Sequence, residues 1–381
     1  MILYMVTLVK VIEQSKSKHT FIIAGKLLGM VAIVLIFLLS LDIMGNSFLS
    51  LRQTAAETIL SVTANPFIGL FIGLLLTAVI QSSSTSTSMI VALVGSGALS
   101  LSAAVPIVMG ANIGTTLTST IVSLGFITSK REFRKAISAG TIHDIYNLLL
   151  AIVLFPLEYY YQFLSRASSY LASSLIQLTS DNASPAVEAV NQDWSIAAYL
   201  TESVDNSWLL IIISFGMLFV SIKLMSQLIY STLIGKSKDR LREFVFDSPY
   251  KSFAWGGVIT AAVQSSSITT SLVVPLVATS KLSLQKSFPF IIGANIGTTI
   301  TALIAALFKS EAAISLALVH FLFNLLGPLF FLPYRPLRRL PGLLASRFGR
   351  LTQRNRMIGF LYIVLMFFLI PFLLISFNKL A

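Results

Sequence analysis

Long apolar segments alternate with short polar stretches along the chain, and most have the length of a membrane-spanning helix. Such a helix needs about 20 mostly apolar residues to cross a hydrocarbon core of roughly 30 Å. The pattern predicts seven full spans, near residues 21–44, 101–125, 136–156, 208–230, 284–308, 312–333 and 357–378. Residues 1–20 lack the pattern of a cleavable signal. We therefore expect an all-α integral membrane protein that crosses the bilayer many times.

Two further apolar regions, 66–97 and 249–280, are interrupted in the middle by the sequence Gln-Ser-Ser-Ser. Each half contains only about 13–16 residues, which is too few to cross the bilayer core. We expect each region to form a re-entrant hairpin, in which two half-helices meet at a tip near the middle of the membrane.

The two interrupted regions belong to an internal repeat. The sequence TAVIQSSS at 77–84 returns as TAAVQSSS at 260–267, and GANIGTT returns at Gly293–Thr299 after Gly110–Thr116 without any gap. Duplicated polar breaks inside apolar segments are typical of secondary transporters built from two repeats. Each repeat is predicted to contain a span, a hairpin and two more spans. The predicted division is an N-terminal repeat at 1–156, a loop at 157–207, a C-terminal repeat at 208–333, a basic loop at 334–356 and an extra span at 357–381.

Composition supports a membrane protein and excludes several kinds of site. The 381 residues are 55% hydrophobic and 11% charged, with a mean hydropathy of +0.85, whereas soluble domains contain about 25% charged residues. The chain has no cysteine, which excludes disulfides, thiolate metal sites and a cysteine nucleophile. The net charge of +12 does not indicate nucleic-acid binding, because the basic residues cluster between the apolar segments.

The positions of these basic residues predict the orientation of the spans. They are concentrated in the N-terminal segment and in 126–136, 231–251 and 334–356, whereas 157–207 contains one base, Arg166. Lysine and arginine favour cytoplasmic loops, so we expect a cytoplasmic N-terminus, an extracytoplasmic 157–207 loop and a location in the cell inner (cytoplasmic) membrane. The two hairpins then enter from opposite sides, and the repeats have inverted topology.

The hairpin tips carry the groups that a small-ion site needs. Serine caps helix starts well, so the returning half-helices are expected to begin near Ser84 and Ser267, with their positive dipole ends at the membrane centre. Such ends favour an anion, while hydroxyl and amide oxygens suit an alkali cation. The glycines of GANIGTT could permit close helix packing, while Asn112, Asn295 and the threonine pairs line the cavity. We expect the helix to unwind at this motif.

Asp144 is an acid inside the third predicted span. Because burying a charge near the bilayer centre costs roughly 2.5–3.5 kcal/mol, such acids are candidates for function. The equivalent stretch of the second repeat has Phe321 at this position but keeps the histidine and the asparagine. We interpret Asp144 as a cation ligand or a charge-coupling residue, with a structural acid as the alternative. His143 and His320 are interpreted as structural hydrogen-bonding groups.

These residues resemble the type II sodium-dependent phosphate cotransporter family. The resemblance rests on the doubled Gln-Ser-Ser-Ser hairpins, each followed by Gly-Ala-Asn-Ile-Gly-Thr-Thr, and on the His-Asp-x-x-Asn stretch at 143–147. It covers about 66–156 and 249–333. The short tails and modest 157–207 loop resemble a bacterial member, since animal members have a larger, disulfide-bonded outer loop.

The resemblance implies sodium-driven symport of inorganic phosphate, with sodium as the coupling ion and no organic cofactor. The predicted phosphate contacts, including the cavity-lining residues, are Ser83, Ser84, Ser266, Ser267, Asn112, Asn295 and Thr115. The predicted sodium ligands are Gln81, Gln264, Ser265, Ser266, Thr298, Thr301, Asp144 and Asn147. The other expected partner is the lipid bilayer, and no nucleic acid is expected.

Three other functions remain as alternatives. A transporter for another small anion fits the same residues, because the hydroxyl-rich site does not itself specify phosphate. An ion channel with re-entrant loops is the second. An intramembrane hydrolase is disfavoured, because the chain has neither a Gly-x-Ser-x-Gly elbow nor His-Glu-x-x-His spacing. The protein is therefore not expected to be an enzyme.

Overall fold

The computed structural model describes residues 25–26, 28–50, 65–180, 195–204, 206–233, 245–307 and 309–378, and this part of the chain is helical without any strand. Seven helices within it are long and apolar enough to cross a membrane: Leu28–Ser50, Leu101–Leu124, Lys130–Tyr161, Ser207–Met225, Leu284–Ala306, Glu311–Phe331 and Met357–Phe377. The prediction of an all-α protein with seven candidate spans is confirmed. The start of the first predicted span, 21–24, lies outside the described residues.

The first half of the described chain contains α1 (Leu28–Ser50), α2 (Pro66–Ile80), α3 (Ser83–Gly95), α4 (Leu101–Gly114), α5 (Leu117–Leu124), α6 (Lys130–Tyr161), α7 (Phe163–Ser180) and α8 (Ser195–Ser203). The second half contains α9 (Ser207–Leu233), α10 (Pro249–Val263), α11 (Ser266–Ser271), α12 (Val273–Ala278), α13 (Leu284–Ala306), α14 (Glu311–Phe331), α15 (Arg335–Arg354), α16 (Met357–Val364), a π-helical segment (Leu365–Leu369) and α17 (Ile370–Asn378).

Both Gln-Ser-Ser-Ser sequences break a helix in the same way. Gln81 and Gln264 end their helices in the left-handed conformation, with φ angles of 57° and 58°. The first serine of each triplet then takes an extended conformation and caps the next helix, Ser82 for α3 and Ser265 for α11. The returning helices begin at Ser83 and Ser266, one residue before the predicted positions. The same local sequence therefore produces the same break twice: one helix ends at the glutamine, and a new helix begins after the first serine.

Glycine allows α2 to lie directly against α4, and α10 to lie directly against α13. A Cβ atom on Gly73 would lie 1.8 Å from the carbonyl oxygen of Ile107, and one on Gly256 would lie 2.1 Å from that of Phe290. Any side chain at either position would force the backbones apart. The pairs α2–α4 and α10–α13 thus pack backbone to backbone, and this holds the tips against the GANIGTT motifs.

The predicted unwinding at the GANIGTT motifs is wrong for the second copy. There α13 continues without interruption from Leu284 to Ala306, and the Thr298 hydroxyl donates to the carbonyl of Ala294 in its own helix. In the first copy, α4 ends at Gly114 and α5 begins at Leu117, but Thr115 and Thr116 between them keep right-handed helical angles. The interruption is a tightened turn, because the backbone N–H of Thr115 donates to Ala111 and that of Thr116 to Ile113, whose carbonyl also accepts the Thr116 hydroxyl.

Two segments that were predicted as loops contain helices. The described part of 157–207 includes α7 and α8, and Ser173 of α7 donates a 2.6 Å hydrogen bond to Glu311 of α14. The 334–356 segment is largely α15, whose Gly349 lies against Ser138 and Arg134 of α6. Hydropathy detects helices that are apolar on all sides, whereas these helices have one polar face.

Candidate functional site

The two Gln-Ser-Ser-Ser turns, called the tips below, meet in the interior of the protein. The Ser84 hydroxyl donates to the backbone carbonyl of Gln264 over 3.2 Å, and the Thr301 hydroxyl donates to Gln264 Oε1 over 2.6 Å. The Thr301 hydroxyl also lies 3.5 Å from the Ser84 hydroxyl. Three elements that are far apart in sequence, α3, the second tip and α13, therefore contribute neutral oxygen atoms to one buried cluster.

The two tip glutamines have different surroundings. Gln264 is 5% exposed, and its Nε2 donates to the carbonyl of Ala261 at the end of its own helix, which turns Oε1 towards Thr301. Gln81 has the same backbone conformation but an exposed side chain. The repeat therefore duplicates the backbone of the tip, while only the second glutamine is fixed by hydrogen bonds to the cluster.

A buried asparagine network connects the two repeats beside the tips. Asn324 donates to Asn112 Oδ1 over 2.9 Å, and Asn295 donates to Asn147 Oδ1, also over 2.9 Å. Asn112 and Asn295 occupy equivalent places in the two GANIGTT copies, and Asn147 and Asn324 occupy equivalent places in the third spans. Each pair thus joins one repeat to the other through equivalent positions, but donor and acceptor are exchanged: the third-span asparagine donates in the first pair and accepts in the second.

His143 extends this network. Its Nε2 lies 2.6 Å from Asn295 Oδ1, as expected for a structural hydrogen-bonding histidine. Asn147 also donates to the backbone carbonyl of Asn112 over 2.6 Å. The network holds α4, α6, α13 and α14 in register around the tips, because buried amide groups lose stability unless their partners are in place.

Asp144 is also buried, but it forms hydrogen bonds with a different set of residues. Its Oδ2 accepts hydrogen bonds from the hydroxyls of Thr120, at 3.0 Å, and Tyr362, at 3.2 Å. Its Oδ1 is buried and has no hydrogen-bond partner among the described residues. A free carboxylate oxygen next to a satisfied one is a suitable position for a cation ligand. The hydrogen bonds of Asp144 therefore go to residues outside the tip cluster, whereas Asn147 belongs to the asparagine network.

Most of the predicted site residues are buried. Those less than about 6% exposed are Ser83, Ser84, Ser266, Asn112, Asn295, Thr115, Gln264, Thr298, Thr301, Asp144 and Asn147. Ser265 and Ser267 are partly exposed at the second tip, and Gln81 is exposed at the first. The Thr115 hydroxyl has no hydrogen-bond partner in the described part of the chain.

A cavity of about 560 Å³ lies against both tips. Gln81 and Ser82 of the first tip and Gln264, Ser265 and Ser267 of the second line it, together with Lys223 and Gln227 of α9. The cavity runs from the tips along α11 and α12 as far as Pro275. Both tips are therefore reached through one space, and this space contains a basic side chain.

The sequence interpretation missed Lys223, Tyr362 and Asn324. Lys223 had a signal, because it is a base within an apolar segment that was predicted to span the membrane. Asn324 also had a signal, because it is the asparagine that the second repeat keeps at the place of Asn147. Tyr362 had none, since a tyrosine in a span can have many partners. Only the packing of the C-terminal helix against α6 reveals that Tyr362 reaches Asp144.

Comparisons of the sequence with known proteins point to one family. The family described as Na+/Pi-cotransporter matches residues 36–227 and 217–349 of this chain. The sodium-dependent phosphate transport protein 2A of Mus musculus is 29% identical over 420 residues, which cover 90% of this chain and 66% of the mouse protein. The protein 2A of Rattus norvegicus is 30% identical with the same coverage, and the protein 2B of Homo sapiens is 28% identical over 91% of this chain and 64% of its own length. The chain thus spans slightly less than two thirds of these relatives. No solved structure matches the chain.

Proposed function

Because the chain belongs to the Na+/Pi-cotransporter family, we propose that it transports inorganic phosphate across the cytoplasmic membrane together with sodium. The observation that carries this proposal is the meeting of the two hairpin tips, where Ser84 contacts Gln264 in a buried cluster of neutral oxygens. Such a cluster can bind sodium without a buried carboxylate, and a nearby anion would then offset the charge of the cation.

The proposed sodium site consists of Gln264 with neighbouring hydroxyls. Its ligands are the side chains of Gln264, Ser265, Ser266, Thr298 and Thr301, with Gln81 as the less constrained equivalent in the first tip. We place a second cation at the free Oδ1 of Asp144, with Asn147 as a neighbour on the same helix. The negative charge of the Asp144 carboxylate would balance a cation bound there. This cation would therefore not be the one that compensates the charge of the phosphate.

Phosphate is proposed to bind at the start of the returning half-helices. The first N–H groups of a helix have no partner within the helix and attract oxyanions. The proposed contacts are Ser83, Ser84, Ser266, Ser267, Asn112, Asn295 and Thr115. Of these residues, Ser267 lines the cavity at the tips, whereas the other six lie outside its lining. Lys223 also lines this cavity and would draw phosphate towards the tips before it binds.

We propose that the two repeats have opposite orientations in the membrane. Basic residues in 126–136, 231–251 and 334–356 would lie in the cytoplasm, so α2–α3 would enter from outside and α10–α12 from inside. The cavity extends along α11 and α12, and it would thus open to the cytoplasm. On the opposite side, Lys309 forms an ion pair with Asp42 of α1, which would close the outer end in this state.

Coupling follows from the closeness of the two ions. Bound sodium would raise the affinity for phosphate in a site of low dielectric, and phosphate would raise the affinity for sodium to the same extent. Movement of the hairpins relative to the other spans would then expose the loaded site to each side in turn.

The test is uptake of radiolabelled phosphate into proteoliposomes that contain the purified chain. An inward sodium gradient should drive uptake, an equal potassium gradient should not, and Gln264→Ala should abolish the sodium response. Sulfate and arsenate competitors identify the anion, since stronger competition by sulfate would favour the alternative of another small anion. Unlabelled phosphate on the trans side should accelerate exchange in a carrier but not in a channel. Uptake that is indifferent to sodium would refute the proposal.

A further inference from the structure

A second cavity lies away from the tips, where the start of α6 meets α15 and the turn before α13. Its volume is about 400 Å³, within the range of roughly 300–1,000 Å³ that is usual for ligand pockets. The residues that line it are Arg134, Lys135, Ser138, Val277, Ser280, Leu282, Ser283, Leu284, Ser346 and Arg350. It shares no residue with the cavity at the tips.

The chemistry of this cavity is that of an oxyanion site. Three cationic side chains, Arg134, Lys135 and Arg350, converge on it, and no acid is among the described residues that line it. Four serines supply hydroxyl groups, and Ser283 also caps the start of the 23-residue helix α13. Arginine and hydroxyl donors with a long helix start are the groups that proteins use for phosphate.

The cavity is held in place by contacts among its own walls. Lys135 donates a hydrogen bond to Ser280, which joins α6 to the turn between α12 and α13. Gly349 of α15 lies so close to α6 that a Cβ atom there would be 2.1 Å from the Ser138 hydroxyl. Arg134 and Lys135 are half-buried, whereas Arg350 is exposed. Two of the three basic groups are therefore partly enclosed by the recess between α6, α15 and the turn before α13.

Basic residues are common in cytoplasmic segments, which explains why α6 and α15 contain them. It does not explain why three of them line one cavity. Arg131 and Arg347 lie in the same two helices and are exposed, yet neither lines the cavity. Helix α15 also exposes Leu343 and Leu351, by 54% and 51%, as expected for a helix at a membrane surface. A phosphate group could therefore reach the cavity from a lipid or from solution.

We propose that this cavity is a second anion site, which binds one phosphate-type group through Arg134, Lys135 and Arg350. The group is either the headgroup of an anionic phospholipid or free inorganic phosphate. The site does not depend on the transport function, and its test does not measure uptake.

The experiment compares two double variants that remove the same charge from the same two helices. Arg134→Gln with Arg350→Gln empties the cavity of two bases, whereas Arg131→Gln with Arg347→Gln removes two bases outside it. One arm measures retention of phosphatidylglycerol against phosphatidylcholine on the purified full chain by native mass spectrometry. The other arm measures binding of radiolabelled phosphate in sodium-free potassium buffer.

We expect the cavity variant to lose at least about tenfold in affinity for one of the two probes relative to the control variant, since a hydrogen bond to a charged group contributes about 1.5–3 kcal/mol. The probe that shows the loss identifies the source of the phosphate group. Ser346→Leu fills the cavity without removing charge and should give the same loss, which covers the case that the double variant misfolds. Equal binding of both probes by the wild type, Ser346→Leu and both double variants would overturn the proposal.

Discussion

The hydroxyl of Ser84 donates a hydrogen bond to the backbone carbonyl of Gln264, although the two residues are 180 positions apart. Each belongs to one copy of the same Gln-Ser-Ser-Ser sequence, so the contact joins the two repeats at their breaks. Thr301 completes the cluster with its hydrogen bond to Gln264 Oε1.

Thr301→Val should weaken sodium coupling. Valine keeps the shape of threonine but removes the hydroxyl that holds Gln264 Oε1, so the sodium concentration for half-maximal phosphate uptake should rise about tenfold, as expected for one hydrogen bond in a buried ion site. Sodium titration of uptake in proteoliposomes measures this. Thr299→Val is the matched control, because its hydroxyl donates only to the carbonyl of Ile296 in its own helix. The same sodium dependence in both variants would contradict the role of Thr301.

Asn324→Ala should destabilise the protein by about 1–3 kcal/mol, because it leaves the buried Asn112 Oδ1 without its donor. A double-mutant cycle with Asn112→Ala should give a coupling energy of about 0.5–3 kcal/mol. Reversible unfolding of the purified variants supplies the four free energies. If the two substitutions were additive, the asparagine pair would not contribute to the joining of the repeats.

Much of the local structure could be predicted from the sequence, because local residues determine it. The break at each Gln-Ser-Ser-Ser was located to within one residue, since serine caps the following helix whatever surrounds it. The GANIGTT sequence does not by itself determine whether a helix continues through it, because one copy lies inside α13 and the other is interrupted between α4 and α5. The continuity of α13 depends on the helices packed around it.

The site was predicted less completely than the fold. Buried hydroxyls and amides in repeated motifs were recognisable, but the partners of Asn112, Asp144 and Gln264 come from helices that are remote in sequence. The helical character of 334–356 was also missed, because α15 carries its apolar residues on one face only and no window of it reaches the hydropathy of a span.

Asp144→Asn should change the charge that moves with each phosphate, because the substitution removes the carboxylate proposed to bind the second cation. Simultaneous recording of current and radiolabelled uptake gives this ratio. Tyr362→Phe keeps the carboxylate and removes one donor to Oδ2, so it should preserve the ratio and shift only the sodium dependence. An unchanged ratio in Asp144→Asn would argue against a coupling role for this acid.

Lys223→Met should raise the KM for phosphate about tenfold, because it removes the basic side chain that lines the cavity at the tips and hence the attraction of this cavity for a dianion. Lys223→Arg should retain most of the affinity. The control is Lys286→Met, which removes a base that is exposed and lies outside the cavity. The rise in KM caused by Lys223→Met should also be smaller at high ionic strength. If the KM for phosphate in the same vesicles were unchanged in Lys223→Met, Lys223 would not attract phosphate to the cavity.

The most direct test of a single ion site between the two tips uses the absence of cysteine from the chain. Single cysteines introduced by Ser82→Cys and Ile268→Cys, neither of which is a proposed ion ligand, would each place one thiol on the cavity at the tips. We predict that a membrane-impermeant thiol reagent modifies both from the cytoplasmic side, and that phosphate slows both reactions only when sodium is present. If the two positions reacted from opposite sides in the same state, or if phosphate protected them without sodium, the central claim would be contradicted.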